Sequence, residues 1–206
     1  MDVVINSDAL TKLDVARRQL GTALWLYLED LDPVSVHTLT GAASELAERL
    51  ARDVGGSPFI DHALDTNRGM TPQQYYAIAR QYYNAFKHLT HKGGAKREDE
   101  ALLADFDAYH NDALLFVAWT DFMSASLSAP IEAQVFQVWF YAAHPDKLAD
   151  KDDTTRFLSA FPDLASLDRQ ERKRALKAQI AVIRTNQEVM LDPRTDRRPL
   201  LLGRSK

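Results

Sequence analysis

The segment from Arg80 to Lys92, RQYYNAFKHLTHK, holds the densest set of side chains that could do chemistry. Imidazole gains or loses a proton near neutral pH, and a neighbouring Arg or Lys can stabilise a phosphate or a developing oxyanion. At 100° per residue on a helix, the polar side chains fall within an arc of roughly 100°. These side chains are Arg80, Asn84, Lys87, His88 and His91. Such a stripe suits metal-independent cleavage of RNA.

In this interpretation His88 is the general acid/base, and Asn84, Arg80 and Lys87 orient or stabilise the phosphate. His91 and Lys92 add contacts to the substrate. His37, in the segment DPVSVHTL, faces the stripe from the neighbouring helix as a further polar group. The alternative is an ordinary solvent-facing surface, because Lys and His are favoured near the C-terminus of any helix.

A metal site is a second alternative for the same region. His88 and His91 have i,i+3 spacing, and Asp105, Asp107 and His110 follow on the next helix. Histidines and carboxylates from adjacent helices can bind Zn²⁺ or Fe²⁺ inside a bundle. The chain contains no HExxH motif, and we predict no cofactor and no metal for the favoured interpretation.

Composition sets limits on the class of protein. The 206 residues are 46% hydrophobic and 26% charged, which is typical of a globular domain. The net charge of −4 excludes a polycation that coats nucleic acid, although residues 168–206 carry eleven Lys/Arg against five Asp/Glu. This asymmetry predicts a basic terminal segment that contacts an acidic surface. The absence of cysteine excludes disulfides and thiolate sites.

The first ten residues, MDVVINSDAL, lack the basic and apolar regions of a secretory signal. The longest apolar run, residues 113–119, is too short to span a bilayer. We therefore expect a cytoplasmic protein with no membrane segment.

Helical signals recur along the chain, and strand signals are scarce. Apolar spacing, capping residues and Pro or Gly positions predict an all-α helical bundle. The predicted helices are 8–30, 32 to about 55, a short one after Ser57-Pro58, 71 to about 93, 105–127, 130–144, 155–160 and 167–191. Residues 1–145 form the predicted core. Residues 146–206 form a C-terminal helical extension packed on the same domain. After Pro193 we expect a mobile basic tail, in which Leu200 to Leu202 could dock.

Two segments, LDVARRQLGTALWLYLEDLDPVSVHTL and YYNAFKH, resemble an uncharacterised bacterial family of small helical proteins over about the first 125 residues. The element NAFKH more distantly resembles the signature of HEPN domains, which are dimeric helical bundles. Many of them are ribonucleases in toxin–antitoxin and defence systems. The resemblance implies a homodimer that acts on RNA, with His88 as catalytic histidine and Asn84 as its polar partner.

The chain departs from the HEPN pattern at one point. HEPN nucleases have an arginine four to six residues before the histidine, whereas Asn84 stands in that interval here and Arg80 is eight positions upstream. A non-enzymatic alternative is an interaction module, in which the aromatic residues between Phe116 and Tyr141 bind a protein partner.

Overall fold

The computed structural model describes residues 9–147 and 151–203 of the chain. Within these ranges it contains eleven α-helices and no β-strand, so the prediction of an all-α helical bundle is confirmed. Two isolated β-bridges are the only extended pairings of the described residues.

The second helix begins where the sequence predicts, whereas the first begins after its predicted start at Asp8, a residue outside the described ranges. The helix α1 spans Lys12–Leu28, and the Thr11 side chain caps its N-terminus in a capping box with Asp14. The helix α2 spans Pro33–Asp53, with Asp32 as the cap and proline at the first helical position. A connection this short makes α1 and α2 antiparallel neighbours.

Two further helices complete a four-helix core. The helix α7 spans His110–Ser126 and α8 spans Ile131–Ala143. Their large aromatic side chains are buried against α1 and α2, and Trp119 and Phe136 are fully enclosed. The nearly all-round apolar sequence of α7 is explained by this interior position.

Four short helices lie in the chain between α2 and α7, at Phe59–Thr66, Pro72–Ala79, Gln81–Lys87 and Glu100–Ala104 (α3 to α6). The prediction of one long helix from Thr71 to Gly93-Gly94 is wrong. Arg80, at φ −113° and ψ 9°, separates α4 from α5, and the backbone of His88 is extended. The prediction that residues 96–100 form a solvated loop before a helix starting at Asp105 also fails in part, because α6 begins at Glu100.

The helix α5 ends at Lys87, and the backbone that follows it forms hydrogen bonds between residues 89–91 and residues 95–97. The amide of His91 donates to the carbonyl of Ala95 at 2.8 Å, and the amide of Arg97 donates to the carbonyl of Leu89 at 3.1 Å. Gly94 closes this turn at φ +83°, a conformation that favours glycine. Residues 88–98 therefore form a hairpin-like loop.

The C-terminal part consists of α9 at Lys151–Ala160, α10 at Arg169–Arg184 and α11 at Gln187–Leu191. The predicted continuous helix over 167–191 is interrupted, because the Asn186 side chain caps a new helix. The helix α10 packs on α8, where the indole nitrogen of Trp139 donates to the carbonyl of Arg172 at 3.0 Å.

The described residues after Pro193 contact the core, and Leu200, which the sequence marks as able to dock, is buried there. The buried Arg17 of α1 pairs with Asp196 at 2.8 Å and donates to the carbonyls of Pro199 and Leu200. The amide of Asp196 also donates to the carbonyl of Ala129 at 2.9 Å. Residues 194–202, which we call the C-terminal strap, are thus bound to the core.

None of the helices in the described ranges has both the length and the apolar character needed to cross a bilayer.

Candidate functional site

A pocket of about 410 Å³ lies between α2 and α7 and is covered by α3, α4 and α5. The residues that α2 and α7 contribute recur at steps of three and four, so each helix presents one continuous face to it. On α2 these are His37, Gly41, Ser44 and Glu48, and on α7 they are His110, Ala113, Leu114, Val117 and Asp121.

The two helices run in the same direction along the pocket. Near their starts, His37 of α2 contacts Asn111 of α7. Shortly after α2 ends, the amide of Phe59, the first residue of α3, donates at 2.6 Å to the carboxylate of Asp121 near the end of α7. Eleven residues separate the first and last lining positions on each helix, which corresponds to about 16 Å of helix axis. His37 and Asp121 therefore mark opposite ends of an elongated pocket.

Apolar and aromatic side chains form most of the wall between these ends. Ile78 and Tyr109, which line the pocket, are 61% and 55% exposed. Exposed apolar side chains beside a concave apolar surface are typical of a binding site for an organic ligand.

His37 is only 3% exposed and is surrounded edge-on by the rings of Tyr82, Phe86 and Phe106. Asn111 donates its amide N–H to the carbonyl of Pro33 at 3.0 Å, which turns its side-chain oxygen towards Nδ1 of His37 at 2.9 Å. Nδ1 therefore carries the hydrogen. Burial lowers the pKa of His37 to about 4, so the ring is neutral at pH 7 and Nε2 has a free lone pair.

No hydrogen-bond donor among the described residues reaches Nε2 of His37. A buried acceptor without a donor is uncommon in folded proteins, because leaving it unsatisfied costs free energy.

Asp121 lies at the other end and is 2% exposed. Burial raises its pKa to about 6, although the hydrogen bond from Phe59 opposes the shift. Among the described residues, none forms an ion pair with the Asp121 carboxylate. Carboxylates with raised pKa values in pockets are frequent at functional sites.

Arg80 also lines this pocket, but its guanidinium is engaged within the chain. It pairs with Glu45 at 3.2 Å and with Glu48 at 3.1 Å, and it lies 4.2 Å from the centre of the Tyr76 ring. Tyr76 in turn donates its hydroxyl to Glu48. The arginine that the sequence assigns to phosphate is thus held by two carboxylates.

The other predicted site residues lie outside the pocket. Lys87 and His88 share a shallow groove of about 330 Å³ with Lys96 and with the ion pair of Arg97 and Asp99. Lys87 also donates to the Tyr83 hydroxyl at 3.2 Å.

Three predicted residues line neither cavity. Asn84 is half-buried on α5, and its carbonyl accepts from the His88 amide at 3.0 Å. His91 and Lys92 are exposed on the loop over 88–98. The predicted single stripe is therefore divided: Arg80 and His37 reach the pocket, and Lys87 and His88 reach the groove.

The histidines and aspartates proposed as metal ligands do not converge. In the described part of the chain, no three His, Asp or Glu side chains are grouped closely enough to hold a metal ion. The ring of His110 instead contacts the carbonyl of Asp107 at 2.9 Å.

The aromatic side chains that suggested an exposed interaction surface are mostly in the core. Phe116, Trp119, Phe122, Trp139 and Phe140 are each at most 3% exposed. The hypothesis of a protein-interaction module loses the observation that motivated it.

Sequence reasoning missed Asp121 and the tyrosines of α4 as site residues. The signal for Asp121 was present, because a lone carboxylate interrupts the apolar run FVAWTDFM of an interior helix. Tyr75 and Tyr76 gave no such signal, since aromatic residues at helical spacing usually indicate only packing.

Comparisons with family models, with curated proteins and with solved structures each find no match to this chain.

Proposed function

We propose that the chain is a helical binding protein whose ligand is a small organic molecule with a largely apolar body, held in the pocket between α2 and α7. One observation carries this proposal: the elongated apolar pocket has a carboxylate without a paired cation at one end, Asp121, while the other end is formed by the neutral ring of His37. Ligand sites combine apolar walls with a few polar groups that fix orientation.

Binding of an uncharged environment-sensitive dye tests the proposal. Prodan, which fluoresces more strongly in apolar surroundings, is titrated into the full chain and into Ala113→Trp. Ala113 is an exposed residue of α7 on the pocket wall, so the indole has room to enter the pocket without disturbing the core. We expect saturable binding by the wild type and a loss of about tenfold or more in affinity in the variant.

The matched control is Ala178→Trp, which places the same indole at an exposed position of α10 outside the pocket. Dye binding by this control should equal that of the wild type. Absence of saturable binding by the wild type, or equal weakening in both variants, would remove the proposal.

A second candidate is the HEPN-like ribonuclease, acting as a homodimer on RNA at the groove that contains His88. Its support is that two lysines, Lys87 and Lys96, lie beside His88 around one open groove. Three cations and two carboxylates line this groove, so it has a small excess of positive charge that can attract a phosphodiester. Imidazole is the side chain that most often serves as general acid/base. The departure at Asn84 and the pairing of Arg80 with Glu45 and Glu48 speak against it.

Incubation of the purified chain with mixed RNA in EDTA tests this second candidate. If it is correct, the wild type cleaves RNA and His88→Ala does not, while His62→Ala, an exposed histidine of α3, retains cleavage. No cleavage by the wild type, or equal cleavage by His88→Ala, would exclude the nuclease. Light scattering that finds only monomer would exclude the dimer.

A further inference from the structure

We infer that the ligand of the pocket is an organic cation, an alkylammonium with an apolar or aromatic body, whose ammonium group pairs with Asp121. This inference rests on the proposed function and adds the chemical class of the ligand. It follows from the charges and the hydrogen-bonding groups that the two ends of the pocket present.

The Asp121 end of the pocket has one carboxylate more than its own cations can pair. Glu48 is occupied by Arg80 and by the Tyr76 hydroxyl. Arg52 is paired with Asp61 at 2.9 Å, on the exterior. Asp121 accepts the Phe59 amide and experiences the charge of Arg52 at a distance, but no cation of the described residues pairs with it. A buried carboxylate without an ion pair is unfavourable.

Aromatic rings lie beside this carboxylate. Phe59 and Tyr75 line the same end of the pocket as Asp121. Burial raises the pKa of Tyr75, and the nearby negative charges of Asp121 and Glu48 raise it further. Rings next to a carboxylate bind ammonium groups well, because the ring faces and the carboxylate attract the same charge.

Among the described residues, the His37 end of the pocket offers no cation that could bind an anionic ligand. Nε2 of His37 is an acceptor, and so is the carboxylate of Asp121. An anionic ligand would place negative charge against acceptors at both ends, with Arg80 already held by Glu45 and Glu48. A cationic ligand is therefore complementary to the Asp121 end, and the neutral His37 end does not oppose it.

The test compares two probes with the same carbon skeleton, 4-phenylbutylamine and 4-phenylbutan-1-ol, by isothermal titration calorimetry with the full chain at pH 7.5. We expect the amine to bind about tenfold or more tightly than the alcohol, because its ammonium forms a charged hydrogen bond with Asp121. In Asp121→Asn the ratio of the two affinities should fall towards one. This variant keeps an oxygen that can accept from the Phe59 amide.

The matched control is Asp65→Asn, which removes one negative charge from an exposed position of α3 outside the pocket and should keep the wild-type ratio. Equal affinity for amine and alcohol in the wild type would overturn the inference that the ligand is a cation, but it would not contradict the proposed binding function. Binding of neither probe, together with failure of the Prodan titration, removes both. A ratio that persists in Asp121→Asn, or falls equally in Asp65→Asn, overturns the role of Asp121.

Discussion

At the scale of single residues, His37 and Asp121 share an uncommon property, because both are buried polar groups that the fold leaves partly without counterparts. Each costs the folded state on the order of 1–3 kcal/mol relative to a satisfied group. The hydrogen bond from Nδ1 of His37 to Asn111 fixes the tautomer, so that the free nitrogen is an acceptor and not a donor. A ligand with suitable donors would recover part of this cost on binding.

Residue types could be predicted from the sequence more readily than their partners. The sequence predicts Arg80 as a residue that binds phosphate, and the structure places Arg80 in the lining of the pocket. Its partners, Glu45 and Glu48, lie more than thirty positions earlier on α2, and no local pattern connects them to Arg80. Similarly, the spacing of His88 and His91 carries no information once the backbone leaves the helix at Lys87.

At the scale of elements, the sequence predicts the starts of helices well where a capping residue marks them. Asp32 and Thr71 each cap a helix that begins at the following residue, as expected, and Thr11 caps α1 in the same way. No proline or glycine marks the break between α4 and α5 at Arg80. At this break the Tyr83 ring of α5 packs closely against Gly41 of α2, where a Cβ would lie 2.6 Å from the ring. Such tertiary contacts override helical periodicity, and sequence alone does not contain them.

The same kind of close approach holds the C-terminal strap on α1 and yields a prediction. A Cβ at Gly21 would lie 2.3 Å from the carbonyl oxygen of Leu200 and 2.6 Å from the Arg17 guanidinium. Gly21→Ala should therefore displace the strap and lower the free energy of unfolding by about 1–3 kcal/mol. The gain of up to about 1 kcal/mol in helix propensity reduces the loss but does not reverse it.

Urea unfolding measures this change, and limited proteolysis reports whether residues 194–202 become accessible. Gly93→Ala is the control, since a Cβ there has no neighbour within 4 Å, and it should alter stability by less than about 0.5 kcal/mol. A Gly21→Ala chain as stable as the wild type, with an intact strap, would contradict the close approach.

At the scale of the whole molecule, the charge asymmetry of the chain is resolved within one copy. Four of the six basic residues of α10 pair with acidic residues of the core, among them Arg169 with Asp112 at 2.7 Å and Lys177 with Glu29 at 3.0 Å. Lys173 pairs with Asp30, and Arg184 pairs with Glu132. The sequence predicted that the basic segment contacts an acidic surface, and this surface belongs to the same chain. The location of that surface required the fold.

The free energy of unfolding should depend on pH through the two titratable groups at the ends of the pocket, Asp121 and His37. Burial raises the pKa of Asp121 from 3.8 to about 6, so the folded chain holds a proton there that the unfolded chain releases. The contribution of Asp121 to the free energy of unfolding is fully present below pH 4 and is lost as the pH rises through 6. Burial lowers the pKa of His37 from 6.5 to about 4, so its effect runs the other way, and stability is lost as the pH falls through this window.

We therefore expect the two effects to offset each other in the wild type between pH 4 and 6.5, and a single substitution to expose one of them. The free energy of unfolding of Asp121→Asn, relative to the wild type, should rise by roughly 2–3 kcal/mol between pH 4 and pH 7, because two pKa units correspond to about 2.7 kcal/mol. Urea unfolding at half-unit pH steps measures the difference. The curve of Asp65→Asn, which changes an exposed residue of α3, should run parallel to that of the wild type. A parallel curve for Asp121→Asn as well would mean that Asp121 is ionised without cost, and the case for a missing cation at that end of the pocket would fall with it.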